Sequence, residues 1–181
     1  VRLNSTGAAP TLADQGSVAG DDIAQGTAFT YFPSIAVNRY GDAMLGFSAS
    51  APTIFASSYY AIRAARDAAG SMRPSALLRA GTDFYIRTFS SSTTATSRWG
   101  DYSGAAVDPV DECFWVFNQH AMARGTPTTV GGVTEDGRWA TAYGKLCGVA
   151  LAAPRRRDLG RHLVPARARG RSLSRRPATA Q

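Results

Sequence analysis

The chain has 181 residues, 44% of them apolar, and a formal net charge of +7, enough for one ordinary core or a few stacked repeat units. Its longest apolar runs fall far short of the ~20 residues that cross a bilayer, and after Val1 no basic segment leads into an apolar one, so neither a membrane helix nor a signal peptide is expected in this stretch. The charge is lopsided: nine arginines against Asp158 put +8 in the segment from Ala150 onward and leave residues 1–149 at −1, which excludes a basic nucleic-acid-binding body.

In chain order, residues 1–30 are rich in Gly, Ala, Asp and Ser and read as the end of a preceding module or a linker, with short strands at most over 16–19 and 23–30. Turn signals then arrive at the spacing of an all-β protein. Residues 32–38 read as a strand, Arg39-Tyr40-Gly41 as its turn, and 42–48 as the antiparallel partner. Residues 57–65 form a third strand, with Tyr59, Ala61 and Arg63 on one face and Tyr60, Ile62 and Ala64 on the other. The competing reading of 59–69 is a helix, since Ala and Arg are good helix formers. A fourth strand is expected over 75–80. After a Ser/Thr-rich loop at 89–97, an inner strand over 101–108, a turn at 108–111, a strand over 112–118, a long loop over 124–137 and a strand over 138–146 follow.

Two of these stretches superpose at an offset of 70 residues. Ala36, Val37 and Asn38 match Ala106, Val107 and Asp108, and Leu45 and Phe47 then fall against Trp115 and Phe117. A repeat of this kind points to stacked copies of one supersecondary unit, because a unit that cannot bury its own apolar face needs a neighbour like itself. Four antiparallel strands of five to eight residues make one propeller blade. The expected fold is therefore all-β, a partial β-propeller of about two four-stranded antiparallel blades over 31–148.

The segment 149–181 holds Arg, Ala, Pro, Gly, Ser and Leu without aromatics or sustained periodicity, so disorder is expected there. Such a tail binds polyanions weakly and with steep salt dependence. Its composition also resembles what a G/C-rich gene yields in a shifted reading frame.

Phe32-Pro33-Ser34-Ile35-Ala36-Val37-Asn38, the run from Arg98 through Trp99, Gly100, Asp101 and Tyr102 to Gly104, the pair Asp108-Pro109, Cys113-Phe114-Trp115 and Gly137-Arg138-Trp139-Ala140-Thr141 resemble the last part of bacterial secreted β-propeller proteins of the sialidase-like or BNR-repeat type. The likeness covers about residues 32–148 and is most specific at Arg98 to Ser103. It implies a fold and an extracellular location more than an activity. The Ser-x-Asp-x-Gly-x-x-Trp box of true sialidases is missing, and Asp108 to Trp115 is a degenerate echo of it.

Retaining sialidases need an arginine cluster, a Tyr nucleophile with a Glu partner, and an acid; most other glycosidases use two carboxylates. Arg63, Arg87, Arg98 and Arg138 are candidates for the anion site, Tyr59, Tyr60 and Tyr102 for the nucleophile, and Asp101, Asp108, Asp111, Glu112 and Asp136 for acid or base. The candidate ligand-binding set is Arg63, Arg98, Trp99, Asp101 and Tyr102. A structural account competes with it: an arginine stacked on Trp99 and a carboxylate capping a turn explain that cluster without chemistry. Asp101, Asp108 and Asp111 lack the close spacing of a Ca²⁺ loop, His120 and His162 lie far apart for zinc, and no phosphate loop or nucleophile elbow is present, so no metal or cofactor is expected. Cys113 and Cys147 fall on neighbouring strands of the last unit. They either form a disulfide, as suits a secreted protein, or remain two buried thiols.

The function expected is an extracellular propeller segment serving as scaffold or glycan-contacting module, inert on its own. The alternative is the C-terminal remnant of a sialidase-type glycoside hydrolase. Expected partners are a glycan and further propeller blades, or copies of this chain associating at open sheet edges, with no membrane.

Overall fold

The computed structural model describes residues 1–88, 96–130 and 132–147; the segment 149–181 and most of the expected 89–97 loop lie outside the described residues. Among these, the fold is all-β, without an α-helix, and every sheet is antiparallel. The chain opens with a hairpin, β1 (Arg2–Asn4) and β2 (Thr11–Asp14). Strands expected over 16–19 and 23–30 are replaced by a short 3-10 turn at Ala24–Gly26, and extended backbone resumes only at Phe29. Ala24 and Gln25 both adopt positive φ, a left-handed geometry outside the extended range of regular strand backbone.

The first large sheet is a meander in the order β3 (Phe29–Val37), β4 (Ala43–Ala51), β5 (Ile54–Arg63), β6 (Ala76–Arg79). The helix alternative over 59–69 is thereby excluded. Tyr59, Tyr60 and Ile62 favour extended backbone, and the strand ends where the Asp67 carboxylate accepts the Ala64 N–H at 2.8 Å and starts a turn. β4 is covered on both faces, which is why it runs through Ala, Met, Leu, Gly, Phe and Ser without polar alternation.

The second sheet holds β7 (Gly104–Val107), β8 (Phe114–Met122) and β11 (Arg138–Leu146) in the order β11-β8-β7. It has three strands among the described residues, against the four of a complete blade. The expected 124–137 loop contains a further hairpin, β9 (Thr128–Val130) with β10 (Val133–Glu135). Beyond the Phe114–Leu146 pair, Cys113 and Cys147 form a disulfide with Cα atoms 4.6 Å apart.

The repeat survives with one correction. Val37 pairs with Ala43 across a five-residue connection (38–42), whereas Val107 pairs with Phe114 across six (108–113). Glu112, at φ 62, absorbs the extra residue. The offset is thus 70 between β3 and β7 but 71 between β4 and β8, so Met44 corresponds to Trp115 and Gly46 to Phe117. The sequence register, which set Leu45 against Trp115 and Phe47 against Phe117, is one residue out, and in a strand one residue means the opposite face.

The extra residue determines how the sheets stack. Ala36, Met44, Tyr60, Ile62 and Leu78 of the first sheet pack against Ala105, Val107, Phe114, Val116 and Leu146 of the second. Each of Met44, Phe114 and Val116 is almost fully buried and contributes ~1.5–3 kcal/mol. The counterparts of Ala36 and Met44 in the second sheet are Ala106 and Trp115, which lie on its far side. Equivalent faces therefore point the same way and the sheets stack head to tail. They meet most closely at Gly46, where a Cβ would lie 2.5 Å from Val116 Cγ2. On the other side of the first sheet, Phe47, Ala49 and Ala61 are covered by Ile23, with Val18, Ala24 and Ala28 around them; the N-terminal segment is thus part of the packed structure.

Candidate functional site

The two turns that open the repeat units are built alike. Asn38 Oδ1 accepts the Tyr40 and Asp42 N–H groups at 3.0 Å each, and Asp108 Oδ1 accepts the Val110 N–H at 2.9 Å. These are Asx turns, and they touch: Asn38 Nδ2 donates to the Glu112 carbonyl at 3.4 Å and the Arg39 N–H to its carboxylate at 3.1 Å. Asp108 also accepts from Lys145 Nζ at 2.6 Å and Trp115 Nε1 at 3.0 Å. The ammonium and these donors hold its carboxyl down at about 2. Lys145 Nζ lies 2.7 Å from Asp111 as well, so a side-chain cation bridges Asp108 and Asp111.

A different chemistry collects at the far end of the strands. There Tyr31 and Phe32 from β3, Phe55 from β5, and Phe84, Tyr85 and Trp99 from the connections line an open cleft of about 600 Å³, with Ser50, Thr53 and Ser97 at its walls. β3 carries a bulge between Tyr31 and Ser34, with Phe32 at φ 51. This conformation turns the Phe32 ring onto Gly100. A Cβ at Gly100 would come within 2.1 Å of that ring, and its φ of +88 is one that glycine alone adopts readily.

Trp99 anchors the cleft. Its ring meets Tyr85 edge-on at 5.0 Å, and its Nε1–H donates to Ser48 Oγ at 3.0 Å. Ser48 in turn donates to Asn118 Oδ1 at 3.1 Å across the sheet–sheet interface. The neighbouring Gly100 N–H donates to Gln119 Oε1 at 2.6 Å. Asn118 and Gln119, two members of a buried polar run on β8 that continues to His120, thus position the Trp99 loop. Burial, helped by the Arg79 charge, pushes the His120 imidazole below its ordinary pKa, and its Nδ1 has no partner among the described residues.

The sequence-derived set is only partly assembled. Arg98 extends to solvent and pairs with Asp101 at 3.5 Å, instead of stacking on Trp99. Tyr102 lies over Trp139, with ring centroids 5.4 Å apart. Arg63 does not join them: it pairs with Asp14 of the N-terminal hairpin, nine residues along β5 from the cleft residue Ile54, roughly 30 Å at ~3.3 Å per residue. Arg87 pairs with the buried Glu135 at 3.8 Å, and Arg138 caps the Ala123 and Arg124 carbonyls at 2.9 and 3.2 Å. Asp136 meets Arg124, which also binds Asp83.

The tyrosines considered as nucleophiles are occupied by packing. Tyr59 stacks on Phe47 at 6.1 Å, where burial raises its pKa, and Tyr60 sits in the core between the sheets. Such arginines and tyrosines serve separate local contacts. The cleft aromatics Tyr31, Phe55, Phe84 and Tyr85 carry no sequence motif: Tyr31 and Phe55 lie near the starts of β3 and β5, and Phe84 and Tyr85 in the connection after β6.

No family model matches the chain, and searches of curated proteins and of solved structures also return no match.

Proposed function

We propose that the chain is a segment of an extracellular β-propeller of the sialidase-like type, acting as a scaffold that contacts glycan through the Trp99 cleft without cleaving it. The observation that carries this reading is the cleft itself: six aromatic rings around an open volume of about 600 Å³ with hydroxyl groups between them. A sugar ring offers C–H faces to aromatic π-surfaces and hydroxyls to side chains that both donate and accept, and the volume lies in the range of small-ligand sites. Head-to-tail stacking of two like antiparallel sheets supports the propeller, since that arrangement generates a ring when the rotation between units closes. The Cys113–Cys147 disulfide suits an oxidising, extracellular setting.

The hydrolase alternative gains less. It requires a protonated acid, yet Asp108, beside the Lys145 ammonium, is held at about 2. Titration calorimetry with a panel of neutral and sialylated oligosaccharides, alongside a fluorogenic sialoside, tests the proposal. Binding without turnover, lost in Phe55→Ala, is expected; that ring is half exposed, so the fold should survive the change. Turnover of the sialoside would replace this reading with the hydrolase, and absence of binding across the panel would remove the glycan.

A further inference from the structure

The outer face of the second sheet carries Ala106, Trp115, Phe117 and Tyr143 around a shallow apolar depression of about 560 Å³. Tyr143 is 77% exposed, and Trp115 and Phe117 are each 39% exposed. A continuous aromatic surface of this kind marks an interaction site on a soluble domain. The repeat says what fits it. Through the ladder pairings, Ala106 and Trp115 are the counterparts of Ala36 and Met44. Those residues pack in the first sheet against the face of the second that carries Ala105 and Val107 beside Phe114 and Val116. The counterparts of Ala105 and Val107 are Ile35 and Val37, and both are 58% exposed at the opposite end of the stack. One molecule thus presents the receiving face at one end and the inserting residues at the other.

We propose that these two surfaces bind each other, so that a second copy of this chain docks through its Ile35 and Val37 onto the Trp115, Phe117 and Tyr143 face. The contact is head to tail and reuses the turn-end part of the packing found within one molecule, since the rest of that side of the first sheet, around Phe47 and Ala61, is covered by Ile23. It involves sheet faces, unlike the edge pairing expected from the sequence. A heterologous contact uses different patches on its two partners and leaves one of each free after every addition. Association is therefore open-ended unless the rotation closes a ring. This inference rests on the stacking and not on glycan contact in the Trp99 cleft, so the two can fail separately.

Sedimentation velocity of the full chain at rising concentration tests it, in salt high enough to screen the arginine-rich segment. Wild type is expected to gain mass with concentration. Tyr143→Glu spoils the receiving face and Val37→Glu the inserting one. Both positions are exposed, so each variant should keep the wild-type circular dichroism and remain monomeric alone. An equimolar mixture of the two should form dimers and nothing larger, because it holds one intact pair of faces. Three results would overturn the proposal: wild type that stays monomeric throughout, Val37→Glu that still dimerises through paired aromatic faces, or a monomeric wild type captured by insoluble polysaccharide in a Tyr143-dependent way.

Discussion

Gly46→Ala adds one methyl group at the closest approach of the two sheets. The new Cβ would sit 2.5 Å from Val116 Cγ2, over 1 Å inside the ~3.5–4.0 Å at which carbon atoms attract. Val116 is β-branched and stiff about χ1, and it is almost fully buried, so it has little room to turn aside. Overpacking of this kind costs ~1–3 kcal/mol. Against it stands the ~0.4–1 kcal/mol gained when alanine restricts the unfolded chain, and the clash wins by ~1–2 kcal/mol. Val116→Ala removes two buried carbons at ~0.8 kcal/mol each and leaves a cavity, for a loss of ~2–3 kcal/mol. If the two positions touch, the alanine methyl at 46 fills the space left at 116. The double variant should then be no less stable than Val116→Ala alone, a favourable coupling of ~1–2 kcal/mol. Urea denaturation followed by tryptophan fluorescence gives all four stabilities, provided the m-value holds constant. Costs that add to within ~0.5 kcal/mol would refute the contact and the stacking built on it.

The Cys113–Cys147 bridge spans a sequence separation of 34, for which loop-closure entropy gives about 4 kcal/mol; replacing both cysteines by serine should lower stability by roughly that amount in the same assay, and an unchanged midpoint would count against the pairing. Because the folded pKa of His120 lies below its unfolded value, the unfolded chain takes up the proton first. Stability is fully present above the unfolded pKa of ~6.5 and declines as pH falls from there through the folded value. His120→Gln should flatten that part of the pH–stability profile, and an undiminished slope would show that other groups cause it. Trp99→Phe keeps an aromatic ring but loses the pyrrole half of the indole with its Nε1 donor to Ser48, at a cost of at least the ~0.5–1.5 kcal/mol of that hydrogen bond; Ser48→Ala in the same background should then cost less than it does in wild type.

Local pattern carried some elements further than others. β11 matches the expected 138–146 strand because Trp, Thr, Tyr and Lys alternate with small residues along it. The face assignment within Tyr59 to Arg63 holds for the same reason. The turns at Asn38 and Asp108 were also legible, since an Asx side chain closes a turn through bonds to its own next residues. The orientation of the second sheet was not, because one extra residue accommodated at Glu112 puts every side chain of β8 on the face opposite to the one the 70-residue offset assigns. No composition or spacing rule places Glu112 at positive φ. The site suffered most: Trp99 belongs to it, but its other walls come from Tyr31, Phe55 and Tyr85, brought together only by long-range packing. Arg63 was drawn in by chemistry alone and stands at the wrong end of its strand.

The most direct test of head-to-tail stacking is a nuclear Overhauser spectrum of the labelled protein, read at Val116. The account predicts cross-peaks from its methyl groups to the Gly46 Hα protons, together with contacts between the Trp99 indole N–H and the Ser48 Hβ protons. Cross-peaks from Val116 to Phe47 and Ala49, on the other side of β4, would contradict it.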